Sequence, residues 1–242
     1  MRVGLFTTCL VDTTFPQVGD SVIRVLRGLD VDVEVPRSQT CCGQMHINSG
    51  YRSMALPLIR NQVRSFAGYD VVVAPSASCV GSVRHQYGDI ARSSGDDSLV
   101  NEVAELASRT YELSEFLVDV LGVTNVGAYF PHRVTYHPTC HSLRLLRVGD
   151  RPLQLLREVE AIELVELTNA ASCCGFGGTF SVKNADVSGA MLEDKLTCVR
   201  QSGADVLTAA DSSCLMQMGG GLSRARDVAR TLHLAEILAS RR

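Results

Sequence analysis

Nine cysteines are the residues in this sequence best able to do chemistry, and eight of them fall into a repeated pattern. Cys-Cys-Gly occurs at Cys41-Cys42-Gly43 and again at Cys173-Cys174-Gly175. An isolated cysteine precedes each pair, Cys9 across 31 residues and Cys140 across 32, and another follows, Cys79 across 36 and Cys214 across 39. The surroundings echo as well: VVVAPSASC ends on Cys79 and VLTAADSSC on Cys214, and Tyr111–Leu117 (YELSEFL) is matched by Leu232–Leu238 (LHLAEIL). Landmarks repeated in one order mark an internal duplication. The expected halves are 1–125 and 126–242, each with four thiols. Cys198 has no counterpart and reads as an ordinary helix residue.

Soft thiolates in groups of four suit Zn²⁺ or an iron–sulfur cluster. Structural zinc usually takes closely spaced CxxC pairs whose loops fold around the ion. Here three separate segments contribute, and an adjacent Cys-Cys is awkward for one tetrahedral ion, whereas a multi-iron cluster can receive the pair on different irons. Iron–sulfur is therefore favoured over zinc. The bland alternative is that the cysteines pack as small buried hydrophobes, and the duplicated spacing argues against it.

The elements that must position these thiols alternate between strand and helix. Arg2–Thr8 reads as a strand leading to Cys9, Val31–Val35 as a strand before the Cys41-Cys42 loop, and Asp70–Ala74 as a buried strand before Cys79. Apolar spacing predicts helices from Pro16 to Leu29 and over Met54–Phe66. The second half repeats this: strands Arg133–Tyr136, Ile162–Leu167 and Asp205–Ala209 lead to Cys140, Cys173-Cys174 and Cys214, with a helix over Asp186–Gln201. Gly88–Ser98 reads as a surface loop. The expected class is α/β, two pseudo-repeated halves, each a small parallel sheet with flanking helices. In such sheets ligands bind beyond the carboxyl ends of the strands, and every repeat cysteine lies there.

Composition narrows the classes. The chain has 242 residues, 45% hydrophobic and 20% charged, with a net charge of −3, which argues against disorder and gives no electrostatic footprint for nucleic acid. Nine cysteines cannot all pair within the chain. The amino-terminal run Val3–Val11 reaches Asp12 too soon for a secretory core, so a cytoplasmic location is expected. The longest uncharged run, Leu167–Val182, is rich in Gly, Ser, Thr, Asn and Cys, so no transmembrane segment is expected.

The spacing C-x31-CCG-x35-C, followed by C-x32-CCG-x38-C, resembles the CCG-type cysteine-rich domain of heterodisulfide reductases and of related iron–sulfur proteins. Within that family it is similar to the bacterial lactate-utilization branch. That likeness rests on Phe6–Asp12 (FTTCLVD), Gln39–Gln44 (QTCCGQ), Asn48–Tyr51 (NSGY), Tyr111–Leu117 and Cys173–Lys183 (CCGFGGTFSVK). The resemblance implies an electron-transfer subunit of an L-lactate-oxidising system rather than a complete enzyme. It would work with other lactate utilization subunits, one of them an iron–sulfur protein, and hold a [4Fe–4S] cluster in each half. The implied ligands are Cys9, Cys41, Cys42 and Cys79, then Cys140, Cys173, Cys174 and Cys214. The family motif ends in CxxC, but the earlier position here is Ser76 in one half and Asp211 in the other. Asp211 or His141 is open as a further ligand. Rival readings are a cluster-dependent thiol–disulfide reductase and a zinc-binding scaffold.

Gly43 and Gly175 let backbone approach a cluster closely, and Gly177 and Gly178 offer N–H groups to its sulfides. His137, Cys140 and His141 cluster as HPTCH, which leaves a histidine ligand or proton donor open, with satisfied loop histidines the favoured reading. His46 reads likewise, and Lys183 and Lys195 could pair with cluster charge or a partner surface but read by default as solvated surface lysines.

Overall fold

Strands and helices alternate along the whole chain in the computed structural model, which describes residues 1–242. Two compact units divide it, Met1–Phe116 and Leu117–Arg242. The boundary expected after residue 125 lies beyond this division, within the second unit.

The first unit runs β1 (Arg2–Leu5), α1 (Cys9–Thr14), α2 (Pro16–Arg27), β2 (Asp32–Glu34), α3 (Gln44–Asn48), α4 (Arg52–Phe66), β3 (Val71–Ala74), α5 (Ala77–His85), α6 (Tyr87–Ser93), α7 (Asp97–Ser108), β4 (Thr110–Glu112) and α8 (Leu113–Glu115). Its sheet has the order β2-β1-β3-β4 and is parallel throughout, with Val3 opposite both Val33 and Val71, and Val72 opposite Thr110. β3 is buried at all four residues, as a central parallel strand covered on both faces must be.

The second unit repeats the plan with β5 (Arg133–Tyr136), a π-helical turn His141–Leu146, α9 (Arg151–Arg157), β6 (Glu163–Val165), α10 (Phe180–Lys183), α11 (Ala185–Ser202), β7 (Val206–Ala209), α12 (Ser212–Ala225), β8 (Arg230–His233) and α13 (Leu234–Leu238). Its order is β6-β5-β7-β8, again all parallel, with Val134 opposite Leu164 and Val206. The fold is therefore α/β, two pseudo-repeated four-stranded sheets with flanking helices, as the sequence leads one to expect.

The duplication extends to the core. In α4 the buried positions are Ala55, Ile59, Gln62, Val63 and Phe66; in α11 they are Ser188, Leu192, Lys195, Leu196 and Val199, each 133 residues later. The second core gathers Leu167, Leu192, Leu196, Val199, Leu207, Leu215, Met218 and Leu222 around Cys174 and Cys214.

Gly88–Ser98 is not a loop. Most of it belongs to α6 and α7, because Tyr87, Ile90 and Ala91 bury one helical face and the Asp96 side chain caps α7 by accepting from the Leu99 N–H at 3.1 Å. No helix is long and apolar enough to cross a membrane.

Candidate functional site

In each sheet the chain leaves the first strand toward one edge and returns toward the other, so the strand order reverses between β1 and β3, and between β5 and β7. That reversal opens a crevice at the strands' carboxyl ends. Cys9 begins α1 just past β1, Cys79 lies in the first turn of α5 past β3, and Cys41-Cys42 occupy the connection after β2. Cys140 follows β5, Cys173-Cys174 follow β6, and Cys214 lies in the first turn of α12 past β7.

In the first unit the four thiols touch in sequence. Cys41 interacts with the thiols of Cys9 and Cys42, and Cys42 Sγ lies 3.5 Å from Cys79 Sγ. Cys42 and Cys79 are buried; Cys9 and Cys41 are half-buried. The Gly43 N–H donates to Cys41 Sγ at 3.4 Å. Hydrogen bonds from Cys42 and Cys9 are the main cause that holds Cys41 far below the ordinary thiol range, with His46 adding to the effect. The same contacts, together with burial, push Cys9 and Cys42 up. Ser76 caps α5 by accepting from the Cys79 N–H at 3.3 Å, and the buried Tyr87 hydroxyl donates to the Cys42 carbonyl at 2.7 Å.

The second unit has the same linkage, Cys140 to Cys173 to Cys174 to Cys214. The Gly175 N–H donates to Cys173 Sγ at 3.4 Å, and Cys173, bonded by Cys140 and Cys174, is held well below the thiol range. Cys140 and Cys174 are raised by their bonds to neighbouring thiols and by burial. Gly43 and Gly175 take φ of +79° and +85° at the turn after the cysteine pair, a region that suits glycine. Gly177 and Gly178 lie further on, in the turn into α10, where their carbonyls accept from the Phe180 N–H and the Ser181 hydroxyl. Asp211 is buried and accepts from the Thr139 hydroxyl at 2.8 Å. His141 Nδ1 lies 3.6 Å from Cys140 Sγ. Cys198 packs against the second core from α11, outside the thiol group.

Three residues depart from the expectations: His46 stands in α3 rather than in a loop, and its buried Nδ1 has no hydrogen-bond partner; Lys195 and His137 are the others. Lys195 is not a surface lysine: it is 0% exposed. Its ammonium donates to the carbonyls of Asn169 at 2.9 Å and Ala170 at 3.1 Å, in the loop that leads to Cys173-Cys174. Burial lowers its pKa, while Cys198, Cys174, Cys173 and Cys214 oppose that shift. A buried ammonium bonded only to carbonyls is favoured by negative charge nearby, which cysteine thiolates bound to a metal or cluster would supply. His137 is not a satisfied loop histidine: it is 1% exposed and neither ring nitrogen has a hydrogen-bond partner. Burial, with the charge of Lys195, depresses its pKa to about 3, although Cys173 and the nearby Ala170 carbonyl oppose the shift. That carbonyl is close enough to favour a protonated ring but is not at hydrogen-bonding geometry. A ring nitrogen of His137 and the sulfurs of Cys174 and Cys214 lie within 4.8 Å of one another.

The donor set fits a thiophilic metal or cluster. Soft ligands converge, backbone N–H groups point at sulfur, and in the second unit a buried cation offsets the negative charge that bound thiolates carry.

A cysteine-rich domain model, CCG, matches residues 3–84 and 134–219, one segment in each unit. Lactate utilization protein A of Geobacillus kaustophilus is 45% identical over 241 residues, covering all of both chains. The protein of the same name from Macrococcus caseolyticus is 45% identical over 238 residues, 98% of this chain and 96% of that one. Among solved structures, an aspartate racemase homologue from Pyrococcus horikoshii aligns over 98% of this chain and 95% of that chain with a TM-score of 0.35 and 10% identity, a likeness too slight to carry any inference.

Proposed function

As the chain belongs to the CCG cysteine-rich domain family, we propose that it is an iron–sulfur electron-transfer subunit of an L-lactate-oxidising system, with one cluster in each unit. Relatives alike over their whole length are lactate utilization proteins, and a role in lactate utilization is carried over from them. The observation that supports cluster binding most strongly is the convergence of four cysteines at the strand ends of each unit.

In this reading Cys9, Cys41, Cys42 and Cys79 hold one [4Fe–4S] cluster, and Cys140, Cys173, Cys174 and Cys214 the other. A bound cluster supplies one-electron uptake and release. The chain's own groups set the conditions for it. Gly43 and Gly175 bring an N–H to sulfur, hydrogen bonds that temper negative charge on the ligands. Lys195 places a positive charge beside the second site from within the core. Ser76 and Tyr87 fix the backbone at Cys79 and Cys42. The proposal includes a cytoplasmic location and partnership with other lactate utilization subunits, one of which carries iron–sulfur clusters.

The test is made on the anaerobically prepared chain combined with those partner subunits. Addition of L-lactate is expected to bleach the visible iron–sulfur absorbance of this subunit and to produce a reduced-cluster paramagnetic signal. Iron-containing protein that stays oxidised under lactate while dithionite reduces it contradicts the assigned role. Turnover of disulfide substrates by the isolated chain would point instead to a thiol–disulfide reductase.

A further inference from the structure

Beyond the Ser76 and Asp211 pair, the two thiol groups differ at a further position that bears directly on metal binding. The first residue past β1 is Phe6, and the first past β5 is His137. Each stands three residues before the leading cysteine of its group, Cys9 or Cys140. Each backbone N–H makes the same ladder contact with the neighbouring central strand, Phe6 to the Val73 carbonyl and His137 to the Thr208 carbonyl, both at 2.8 Å. The two side chains therefore occupy equivalent places in the two units.

Phe6 fills its place with a ring packed edge-on against Phe66, the centroids 5.8 Å apart, and offers no donor atom. His137 fills its place with an imidazole that is 1% exposed and has both nitrogens unpartnered. Leaving a buried polar group unpaired is costly, and an apolar residue as in the first unit would avoid that cost. The ring is aimed at the sulfurs: one nitrogen lies within 4.8 Å of both Cys174 and Cys214 Sγ. Neutral imidazole is a good ligand for iron, and histidine replaces cysteine in some iron–sulfur centres.

We propose that His137 is a nitrogen ligand to iron in the second site, which thereby has five donors, Cys140, Cys173, Cys174, Cys214 and His137, where the first site has four thiols and a phenyl ring. The assignment rests on the iron–sulfur reading above and makes the two centres chemically unequal. The nitrogen is neutral and joins four thiolates, so the second centre gains a donor without any change in ligand charge.

The test uses the full chain, prepared anaerobically as Cys41→Ala/Cys42→Ala so that bound iron is confined to the second site, and labelled with ¹⁵N at histidine only. Pulsed paramagnetic resonance of the reduced protein is expected to show a ¹⁵N coupling of the size given by directly bound imidazole. His137→Gln is expected to abolish that coupling, and His141→Gln to leave it unchanged. The labelled parent protein needs no histidine substitution, so the test survives if His137→Gln fails to fold. Iron bound without a histidine coupling, or a coupling that persists in His137→Gln, overturns the assignment and leaves the proposed function standing. Protein that takes up no iron overturns both.

Discussion

Replacing Gly175 by alanine should damage the second unit far more than the matching change at Gly43 damages the first. Both glycines lie in the left-handed region, at φ +85° and +79°, where a side chain costs roughly 1–2 kcal/mol. The surroundings differ. A Cβ on Gly175 would lie 2.5 Å from the Ser188 carbonyl oxygen, 3.3 Å from Met191 Cβ and 3.4 Å from the Leu192 nitrogen. Two of those atoms are backbone of α11 and cannot rotate aside. A Cβ on Gly43 would meet Leu58 Cδ1 at 3.3 Å and Ala55 Cβ at 3.4 Å, side-chain contacts that a shift of a few tenths of an ångström relieves. Overpacking against fixed atoms adds about 1–3 kcal/mol. Displacing α11 also loosens the Ser188 hydroxyl's bond to the Gly175 carbonyl, 2.8 Å long and worth about 1 kcal/mol. The expected losses are about 1–2 kcal/mol for Gly43→Ala and about 3–6 kcal/mol for Gly175→Ala. Urea unfolding of the full chain, followed separately through each unit, measures both. Equal losses, or a Gly175→Ala loss below about 1 kcal/mol, refute the claim that α11 backbone sets the position of the second cysteine pair.

Further expectations concern charge and hydrogen bonding. Lys195→Met keeps the bulk and deletes the buried cation, so the second site's midpoint potential should fall, because reduction adds negative charge that the ammonium favours; an unchanged potential in a redox titration of Cys41→Ala/Cys42→Ala protein contradicts this. In the reduced metal-free chain, Cys41 and Cys173 have folded pKa values depressed below their unfolded ones. Between those values the unfolded chain binds the extra proton, so these groups add stability that is complete above the unfolded pKa of about 8.5 and is lost as pH falls toward the folded one. Alkylation by iodoacetamide near pH 6, located by mass spectrometry, should therefore mark Cys41 and Cys173 ahead of Cys42 and Cys174, and labelling in the opposite order would falsify the thiolate assignment. Tyr87→Phe leaves the buried Cys42 carbonyl without its donor and should cost the first unit about 1–3 kcal/mol in urea unfolding; a loss under about 0.5 kcal/mol shows that the bond is not needed.

The sheet class and the meeting of the thiols were readable because repeated spacing, buried β-branched runs and strand-end placement all pointed one way. The edge strands were not. Thr110–Glu112 and Arg230–His233 are short and carry no apolar run, so YELSEFL and LHLAEIL stood out as repeats without declaring a strand followed by a capped helix. The helices within Gly88–Ser98 were hidden by a polar Ser-Ser-Gly-Asp-Asp string, although Asp96 carries a capping signal and Tyr87, Ile90 and Ala91 a helical face. The burial of Lys195 had a trace: it falls on the stripe Leu192, Leu196, Val199, where residue type alone suggested solvent. His137 stood out in the HPTCH cluster as a candidate ligand, but its burial, and Phe6 in the equivalent place of the first unit, emerge only from the fold.

The central claim is one iron–sulfur centre per unit, and it is tested most directly by iron and sulfide analysis of anaerobically prepared protein in three forms. The parent chain is expected to contain iron and acid-labile sulfide in equal amounts, and Cys41→Ala/Cys42→Ala and Cys173→Ala/Cys174→Ala are each expected to keep about half of both, since each removes one of two independent sites. Colourless protein with stoichiometric zinc and no iron, or one pair of substitutions that removes all the iron while the other removes none, contradicts it.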